Sequence, residues 1–205
     1  MNKTVTFWFG IIGTLLFIAP SVLGGLQFEN YSHIHQFISE SFDIDAPYGI
    51  YIRLLGYIPS GFFITIFAFS AIKILSIPRV TKIGLLLFGI FYGIGNIIVG
   101  IFPCDSGCNK DWINPTISQI IHNTSGALTY LIVPIGLLLI GIGLKKPQNI
   151  KLISIICGII AITFSFALSA NPTGNYIGLF QRLTECSILF WLVSFSFFIK
   201  NYSES

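Results

Sequence analysis

The sequence predicts an all-α membrane protein: a single bundle of six transmembrane helices over residues 1–205, with both termini cytoplasmic. The chain is 54% hydrophobic and 9% charged, whereas a soluble domain carries about 25% charge. Its apolar stretches are each roughly 17–25 residues long, enough to cross a bilayer as a helix. The polar segments between them alternate in the sign of their charge. The predicted spans are about 4–26, 52–75, 83–102, 124–144, 152–169 and 183–199.

The first apolar stretch has one feature of a signal peptide, a short basic start at Lys3. However, the apolar run from Val5 to Leu26 is longer than a typical signal-peptide core, and no A-x-A cleavage site follows it. We therefore expect the first helix to be retained. Cleavage would leave the orientation of the other five helices unchanged.

Basic residues mark the side predicted to be cytoplasmic. Cytoplasmic loops of membrane proteins are enriched in lysine and arginine. The net charge of +3 therefore indicates orientation in a plasma (inner) membrane, and we expect no nucleic-acid partner. The connections on this side are too short to hold a site. The basic residues on this side are Lys3, Lys73, Arg79, Lys82, Lys145, Lys146, Lys151 and Lys200.

The opposite side, predicted to face outward, carries nearly every residue able to do chemistry. All acidic residues except Glu204, and all three histidines, fall there. We therefore expect any site to lie on this side, at the depth of the lipid head groups. These residues are Glu29, Glu40, Asp43, Asp45, Asp105, Asp111 and Glu185, with His33, His35 and His122.

The first outward loop, residues 27–51, contains an amphipathic pattern. Ile34, Phe37, Ile38 and Phe42 recur at helical spacing, with polar residues such as Glu40 on the other face. This pattern is typical of a short helix that lies in the headgroup region. We expect such a helix here.

The second outward loop is predicted to lead into a long helix. Asn114 suits an N-cap, and Pro115 suits the first helical position. From there the helix is expected to run into the fourth span, with an interruption near Pro134. In the third outward loop, residues 171–174 form the turn signal Asn-Pro-Thr-Gly.

A polar stripe opens the fourth span. Gln119, His122, Asn123 and Gly126 are spaced i, i+3, i+4 and i+7, so they share one face of a helix. A histidine at the mouth of a membrane bundle must face inward or toward water. One interpretation makes His122 a metal ligand or a general base. The other is a histidine hydrogen-bonded to loop carbonyls.

Polar side chains also occur within the apolar spans. Glu185 lies about one turn inside the sixth span and needs a partner in lipid. Arg182 on the same helix and Arg53 on the second helix are the candidate partners. The ion pair would either lock helix ends together or belong to a site. Asn96, midway along the third span, is expected to bond to a neighbouring helix.

A divalent metal site is one hypothesis for the outward side. Glu40, Asp105, His122 and Glu185 would supply oxygen and nitrogen ligands for such an ion. No H-E-x-x-H or comparable motif accompanies them. The sequence therefore does not favour a metal cofactor.

Two of the four cysteines, Cys104 and Cys108, lie in the second outward loop. In an oxidising compartment this pair favours a structural disulfide. A thiol-redox pair is the alternative, but the spacing is not C-x-x-C. Cys157 and Cys186 lie within spans and do not form a second outward pair.

Residues 100–105, Gly-Ile-Phe-Pro-Cys-Asp, followed by His122 on the next helix, resemble the prokaryotic membrane proteins grouped as domain of unknown function 998. Ser39 and Glu40, followed by Ala-Pro-Tyr at 46–48, are similar to that family's first loop. The resemblance covers nearly the whole chain. It implies a six-helix fold in which the aspartate is paired with the histidine, and it implies no particular reaction. A looser similarity is to eukaryotic six-helix membrane proteins of the Frag1/DRAM/Sfk1 type.

Two functions fit these residues. The preferred one is binding or assembly at an outward-facing polar site, with the lipid bilayer, a lipid head group or another membrane protein as partner. The alternative is a membrane-embedded enzyme acting on a lipid or isoprenoid head group. In that enzyme, which could be metal-dependent, His122 is the base or a metal ligand and Asp105 orients it. Glu40 and Glu185 complete a metal or acid–base set, and Arg53 and Arg182 hold a phosphate. The candidate binding residues are Ser39, Glu40, Arg53, Gln119, Asn123 and Arg182.

Overall fold

The apolar stretches form helices throughout the computed structural model, which describes residues 2–202. Within that range six helices are long and apolar enough to cross a membrane, as the sequence predicted. The chain is a multi-pass membrane protein. Met1 and residues 203–205, including Glu204, lie outside the described residues. The helices are α1 (Lys3–Gln27), α2 (Gly49–Ile74), α3 (Arg79–Ile101), α4 (Ile117–Gly143), α5 (Gln148–Ala170) and α6 (Ile177–Lys200).

The six helices form a closed ring. Each packs against its neighbours along the chain, and α1 also packs against α6. Short connections make consecutive helices antiparallel, so the loops alternate between two ends of the bundle. The acidic end carries loop one (28–48), the second loop (102–116) and the third loop (171–176). The opposite end, with connections 75–78 and 144–147, is termed the basic end.

Aromatic side chains fill the core of the helix bundle. Trp191 is fully buried and packs edge-on against Phe88, with ring centroids 4.7 Å apart. Its indole N–H donates a 2.9 Å hydrogen bond to Oγ of Ser154 on α5. A buried indole requires a partner of this kind, so the contact ties α5 to α6.

The start and middle of α4 differ from the prediction. Thr116, rather than Asn114, is the N-cap, and its Oγ1 accepts the backbone N–H of Gln119 at 3.1 Å. Asn114 has a φ of +46° and belongs to the preceding loop, because asparagine tolerates this left-handed conformation. The helix continues through Pro134, so the predicted interruption was wrong. Neighbouring helices can stabilise a proline inside a membrane helix.

Loop one also differs from the prediction. The interfacial helix expected over 34–42 was wrong, because only a short 3₁₀ helix forms there, Ile38–Phe42. Ile38 and Phe42 are 4% and 3% exposed and belong to the hydrophobic core. Apolar side chains are more stable inside the ring than beside water. Loop one therefore covers the acidic end of the bundle.

Two helices contain a π-helical turn, Arg53–Tyr57 in α2 and Gly89–Ile94 in α3. Such turns are often found at functional sites. Tyr57 and Tyr92 belong to these turns, and each is 1% exposed. Both line the same internal cavity.

Candidate functional site

A polar cavity lies inside the ring beneath loop one. Its volume is about 70 Å³, which is room for roughly five water molecules at 10–15 Å³ each. Loop one and helices α1, α2, α3, α4 and α6 all contribute to its wall. It is termed the deep cavity. Its polar lining includes Ser39, Asn96, His122, Tyr130, Gln181 and Glu185.

Glu185 lies on the wall of the deep cavity and is 6% exposed. Two tyrosines on other helices donate to its carboxyl group: Tyr92 to Oε2 at 2.7 Å and Tyr130 to Oε1 at 2.8 Å. Among residues 2–202 the one ion pair is Lys110 with Glu40. The carboxyl of Glu185 is therefore held by neutral donors and has no cationic side chain against it.

A relay that begins in loop one sets the hydrogen-bond direction at Glu185. The backbone N–H of Ile38 can only donate, so the atom it meets at 2.7 Å is the side-chain oxygen of Gln181. The amide nitrogen of Gln181 then donates to the hydroxyl oxygen of Tyr130 at 3.0 Å. Tyr130 in turn gives its own proton to Glu185. The relay thus fixes Glu185 as the acceptor toward Tyr130, and an ionised Glu185 also accepts from Tyr92.

Both arginines of the candidate site bind other groups. Arg182 donates through Nη1 to the backbone oxygen of His33 at 2.6 Å and through Nη2 to the hydroxyl of Tyr31 at 2.9 Å. Arg53 donates through Nε to a carbonyl one turn earlier on its own helix at 3.3 Å. The expected pairing of an arginine with Glu185 was therefore wrong. Backbone carbonyl groups of loop one have no hydrogen-bond partner within a helix, and Arg182 donates hydrogen bonds to them.

His122 and Asp105 are not brought together by a hydrogen bond in the part of the chain that the structure describes. His122 is 7% exposed, and its Nδ1 donates to the backbone oxygen of Phe102 at 2.8 Å. Asp105 accepts from the hydroxyl of Thr116 at 2.5 Å and from the Thr116 N–H at 3.1 Å. Asp105 thus fastens the second loop to the start of α4.

The four side chains predicted as metal ligands have separate partners. His122 and Glu185 line the deep cavity. Glu40 instead pairs with Lys110 at 2.7 Å. Asp105 accepts from the start of α4, as described above. Within 2–202 no group of three or more histidine, cysteine, aspartate or glutamate side chains is arranged to hold a metal ion.

The second loop is closed by a disulfide between Cys104 and Cys108. Gln119 clamps this loop: its Oε1 accepts the N–H of Asp105 at 2.7 Å, and its Nε2 donates to the backbone oxygen of Cys108 at 2.9 Å. From loop one, Oδ2 of Asp43 accepts a backbone N–H of the disulfide loop at 2.7 Å. Loop one and the second loop therefore form a single cover over the deep cavity.

Two carboxyl groups of this cover have pKa values shifted in opposite directions. Burial raises the pKa of Asp43 above its usual value, and the backbone N–H of Gly107 opposes that change only in part. Burial also acts to raise the pKa of Asp105, but hydrogen bonds from Thr116 and Asn109 outweigh it and hold that pKa below its usual value. Folding therefore favours the protonated form of one carboxyl and the ionised form of the other.

A second cavity, of about 280 Å³, adjoins the deep cavity at the acidic end. It is termed the antechamber, and Asn123 and Lys110 lie on its wall. A Cβ atom built on Gly126 would meet no atom within 4 Å, so α4 leaves open space where the two cavities meet. The residues that line both cavities are Ser39, His122, Gly126, Tyr130 and Gln181.

Asn96 on α3 lines the deep cavity, and its side chain has an unused hydrogen-bond donor. The residue is 8% exposed, and its Nδ2 has no hydrogen-bond partner in the described part of the chain. The bond to a neighbouring helix expected from the sequence is not made by this nitrogen. An unsatisfied buried donor costs about 1–3 kcal/mol. Asn96 is therefore a wall residue of the cavity whose side-chain donor is satisfied by no group of the described chain.

Sequence reasoning missed Tyr92 and Tyr130 as partners of Glu185. Tyrosines of membrane proteins are enriched at the membrane–water interface. These two lie well inside apolar helices instead. Their position inside apolar helices indicates a buried polar partner, because a phenol inside a bundle needs a hydrogen-bond acceptor.

The helices and the site fall within a match to a known family. The sequence model described as Protein of unknown function (DUF998) matches residues 11–197. The chain belongs to the DUF998 family. This confirms the resemblance carried by residues 100–105 and His122, and it assigns no reaction to the DUF998 protein. No curated protein and no solved structure gives a significant match.

Proposed function

We propose that this DUF998 protein is a membrane-embedded binding protein that holds a small polar group of its ligand in the deep cavity. The observation that carries the proposal is the buried side-chain nitrogen of Asn96, a residue of the cavity wall, which has no hydrogen-bond partner within residues 2–202. A ligand with an acceptor atom satisfies that donor. Retention of an unsatisfied donor is otherwise destabilising.

The surroundings of Asn96 support the same function. Small-molecule sites have mostly apolar and aromatic walls with a few convergent polar groups. The rings of Phe17 and Phe42 line the deep cavity together with the carboxyl of Glu185. The antechamber gives a ligand a route from the acidic end, because both cavities share the wall at Gly126.

In this proposal the acidic end faces the outside of a plasma membrane and both termini are cytoplasmic. The lysines and arginines of the basic end support that orientation through the positive-inside rule. The antechamber then opens at the depth of the outer lipid head groups. The ligand comes from the outer leaflet or from the external solution.

Native mass spectrometry of the full chain released from nanodiscs tests the proposal. Gly126→Leu places a side chain in the open space where the cavities meet and displaces no atom at its Cβ. We expect the wild type to retain one bound molecule and Gly126→Leu to lose it while unfolding at the melting temperature of the ligand-free wild type. Thr124→Leu is the matched control, because Thr124 is exposed and lines a groove on the outside of the ring. Equal retention by wild type and Gly126→Leu would contradict the proposal.

A further inference from the structure

We infer that the group held in the deep cavity is a primary ammonium with an oxygen atom a few bonds away. This is the pattern of an ethanolamine head group or of a free amino alcohol. The inference rests on the proposed binding function and specifies the chemical class of its ligand. It follows from charge, hydrogen bonding, wall chemistry and volume.

The charge of Glu185 calls for a cation beside it. The relay from Ile38 through Gln181 makes Glu185 an acceptor toward Tyr130, and as a carboxylate it also accepts from Tyr92. Throughout 2–202, no lysine, arginine or histidine forms an ion pair with Glu185, and the donors of Arg182 are directed at loop-one groups. A buried carboxylate is strongly destabilising unless a cation or a proton neutralises it. A cationic ligand group supplies that neutralisation.

The carboxylate of Glu185 has lone pairs that the two tyrosines leave free. A carboxylate has about four lone-pair positions, and Tyr92 and Tyr130 occupy one on each oxygen of Glu185. A primary ammonium carries three N–H donors and can fill the remaining positions. A quaternary ammonium has no N–H and cannot. The site therefore favours a primary ammonium.

The unsatisfied amide donor of Asn96 requires an acceptor atom in the same ligand. Its partnerless nitrogen is a donor, and an ammonium has no acceptor to offer it. A ligand that satisfies both Glu185 and Asn96 must therefore carry an acceptor as well as the ammonium. An oxygen close to the nitrogen meets this requirement.

The wall and the volume of the deep cavity suit a small ammonium group. Aromatic rings of Phe17, Phe42 and Tyr57 form much of its wall, and aromatic faces attract ammonium groups. Its volume of about 70 Å³ corresponds to roughly five water molecules. An ethanolamine group has a similar number of non-hydrogen atoms. A trimethylammonium head group is larger and fits less well.

The test measures the melting temperature of the full chain in phosphatidylcholine nanodiscs with three separate additions. A minor fraction of phosphatidylethanolamine supplies the amine on a lipid, and free ethanolamine supplies it in solution. Phosphatidylglycerol is the lipid without an amine. We expect at least one amine probe to raise the melting temperature and phosphatidylglycerol to leave it unchanged. A response to phosphatidylethanolamine alone identifies a lipid head group, and a response to ethanolamine identifies a soluble amine.

Two variants test the residues that carry the inference. Glu185→Gln keeps the side-chain shape and removes the charge, so the amine probe is expected to bind about tenfold more weakly or worse. Asn96→Leu keeps a similar side-chain shape and removes the amide group with its donor. This variant is expected to bind ethanolamine more weakly than the wild type does. Its binding of ethylammonium, which has no oxygen, is expected to be unchanged. The second variant keeps the inference testable if Glu185→Gln does not fold.

The inference and the proposed function fail in different ways. Equal stabilisation by phosphatidylglycerol and by the amine probes would overturn the inference. Undiminished amine binding in Glu185→Gln would overturn it as well. In either case the proposed function stands if Gly126→Leu still abolishes binding. Identical behaviour of wild type and Gly126→Leu toward every probe overturns both.

Discussion

The backbone nitrogen of Ile38 and the side-chain oxygen of Gln181 lie 2.7 Å apart, and this hydrogen bond fixes the orientation of the Gln181 amide at the deep cavity. Ile38 belongs to loop one and Gln181 to α6. Because a backbone N–H can only donate, the amide of Gln181 has one orientation, with its nitrogen toward Tyr130 at 3.0 Å. Loop one therefore influences Glu185 through two intervening side chains.

Removal of the Gln181 side chain is expected to release loop one. Gln181→Ala leaves the N–H of Ile38 without its acceptor, which lowers the free energy of unfolding by about 1–3 kcal/mol. Hydrogen exchange measured by mass spectrometry should become faster over 36–42. Ser154→Ala is the control, because it removes the indole partner of Trp191 and lies away from loop one. Unchanged exchange over 36–42 in Gln181→Ala would show that the relay does not hold the loop.

The two tyrosines should be energetically coupled to Glu185. Tyr92→Phe and Tyr130→Phe each remove one donor to the carboxylate, and each is expected to destabilise the fold by about 1.5–3 kcal/mol. Double-mutant cycles with Glu185→Gln should give a non-zero coupling energy for both. Thermal unfolding in detergent supplies the measurement.

Tyr57→Phe is the matched control for these cycles. The hydroxyl of Tyr57 lies 2.8 Å from Oγ of Ser21 and makes no hydrogen bond to Glu185 in the described part of the chain. Its coupling energy with Glu185→Gln should therefore be near zero. A coupling as large as that of Tyr92 would contradict the assignment of donors.

The carboxyl groups of Asp105 and Asp43 should give stability an opposite dependence on pH. The folded-state pKa of Asp105 is lowered, so its contribution is present above an unfolded pKa of about 4 and is lost as the pH falls. The folded-state pKa of Asp43 is raised, so its contribution is present below about pH 4 and is lost as the pH rises through the folded pKa.

Melting temperatures between about pH 3 and pH 7 check both signs, since this range spans the usual aspartate pKa. Relative to wild type, Asp105→Asn should be most destabilised at neutral pH and least destabilised in acid. The melting temperature of Asp43→Asn should rise relative to that of the wild type as the pH rises. Parallel profiles for the two variants would contradict the opposite shifts.

The disulfide of the second loop should contribute modestly to stability. It closes a short loop between Cys104 and Cys108, for which chain entropy corresponds to about 2 kcal/mol. Replacement of both cysteines by serine should therefore lower the melting temperature. Reductant should lower the melting temperature of the wild type and leave the double variant unchanged, which separates the disulfide from general effects of the reagent.

The helices were predictable from composition because apolar length is a local property of the sequence. The contacts at Glu185 were not predictable, because its partners come from α3 and α4 and their position depends on the packing of the ring. Charge suggested Arg182 as the partner, yet loop one surrounds that guanidinium with carbonyl oxygens. The burial of Ile38 and Phe42 likewise depends on a space that only the assembled ring provides.

The dependence of loop one on α6 has a consequence for the order in which the chain is made. Loop one leaves the ribosome before α6 is synthesised, and its partner for Ile38 lies 143 residues later. The N–H of Leu179, also on α6, donates to the backbone oxygen of Ile34 at 3.0 Å. During synthesis from the N-terminus, the contacts of loop one with α6 cannot form until the last helix inserts. A chain truncated after α5 would therefore lack both Gln181 and Glu185 of the deep cavity wall.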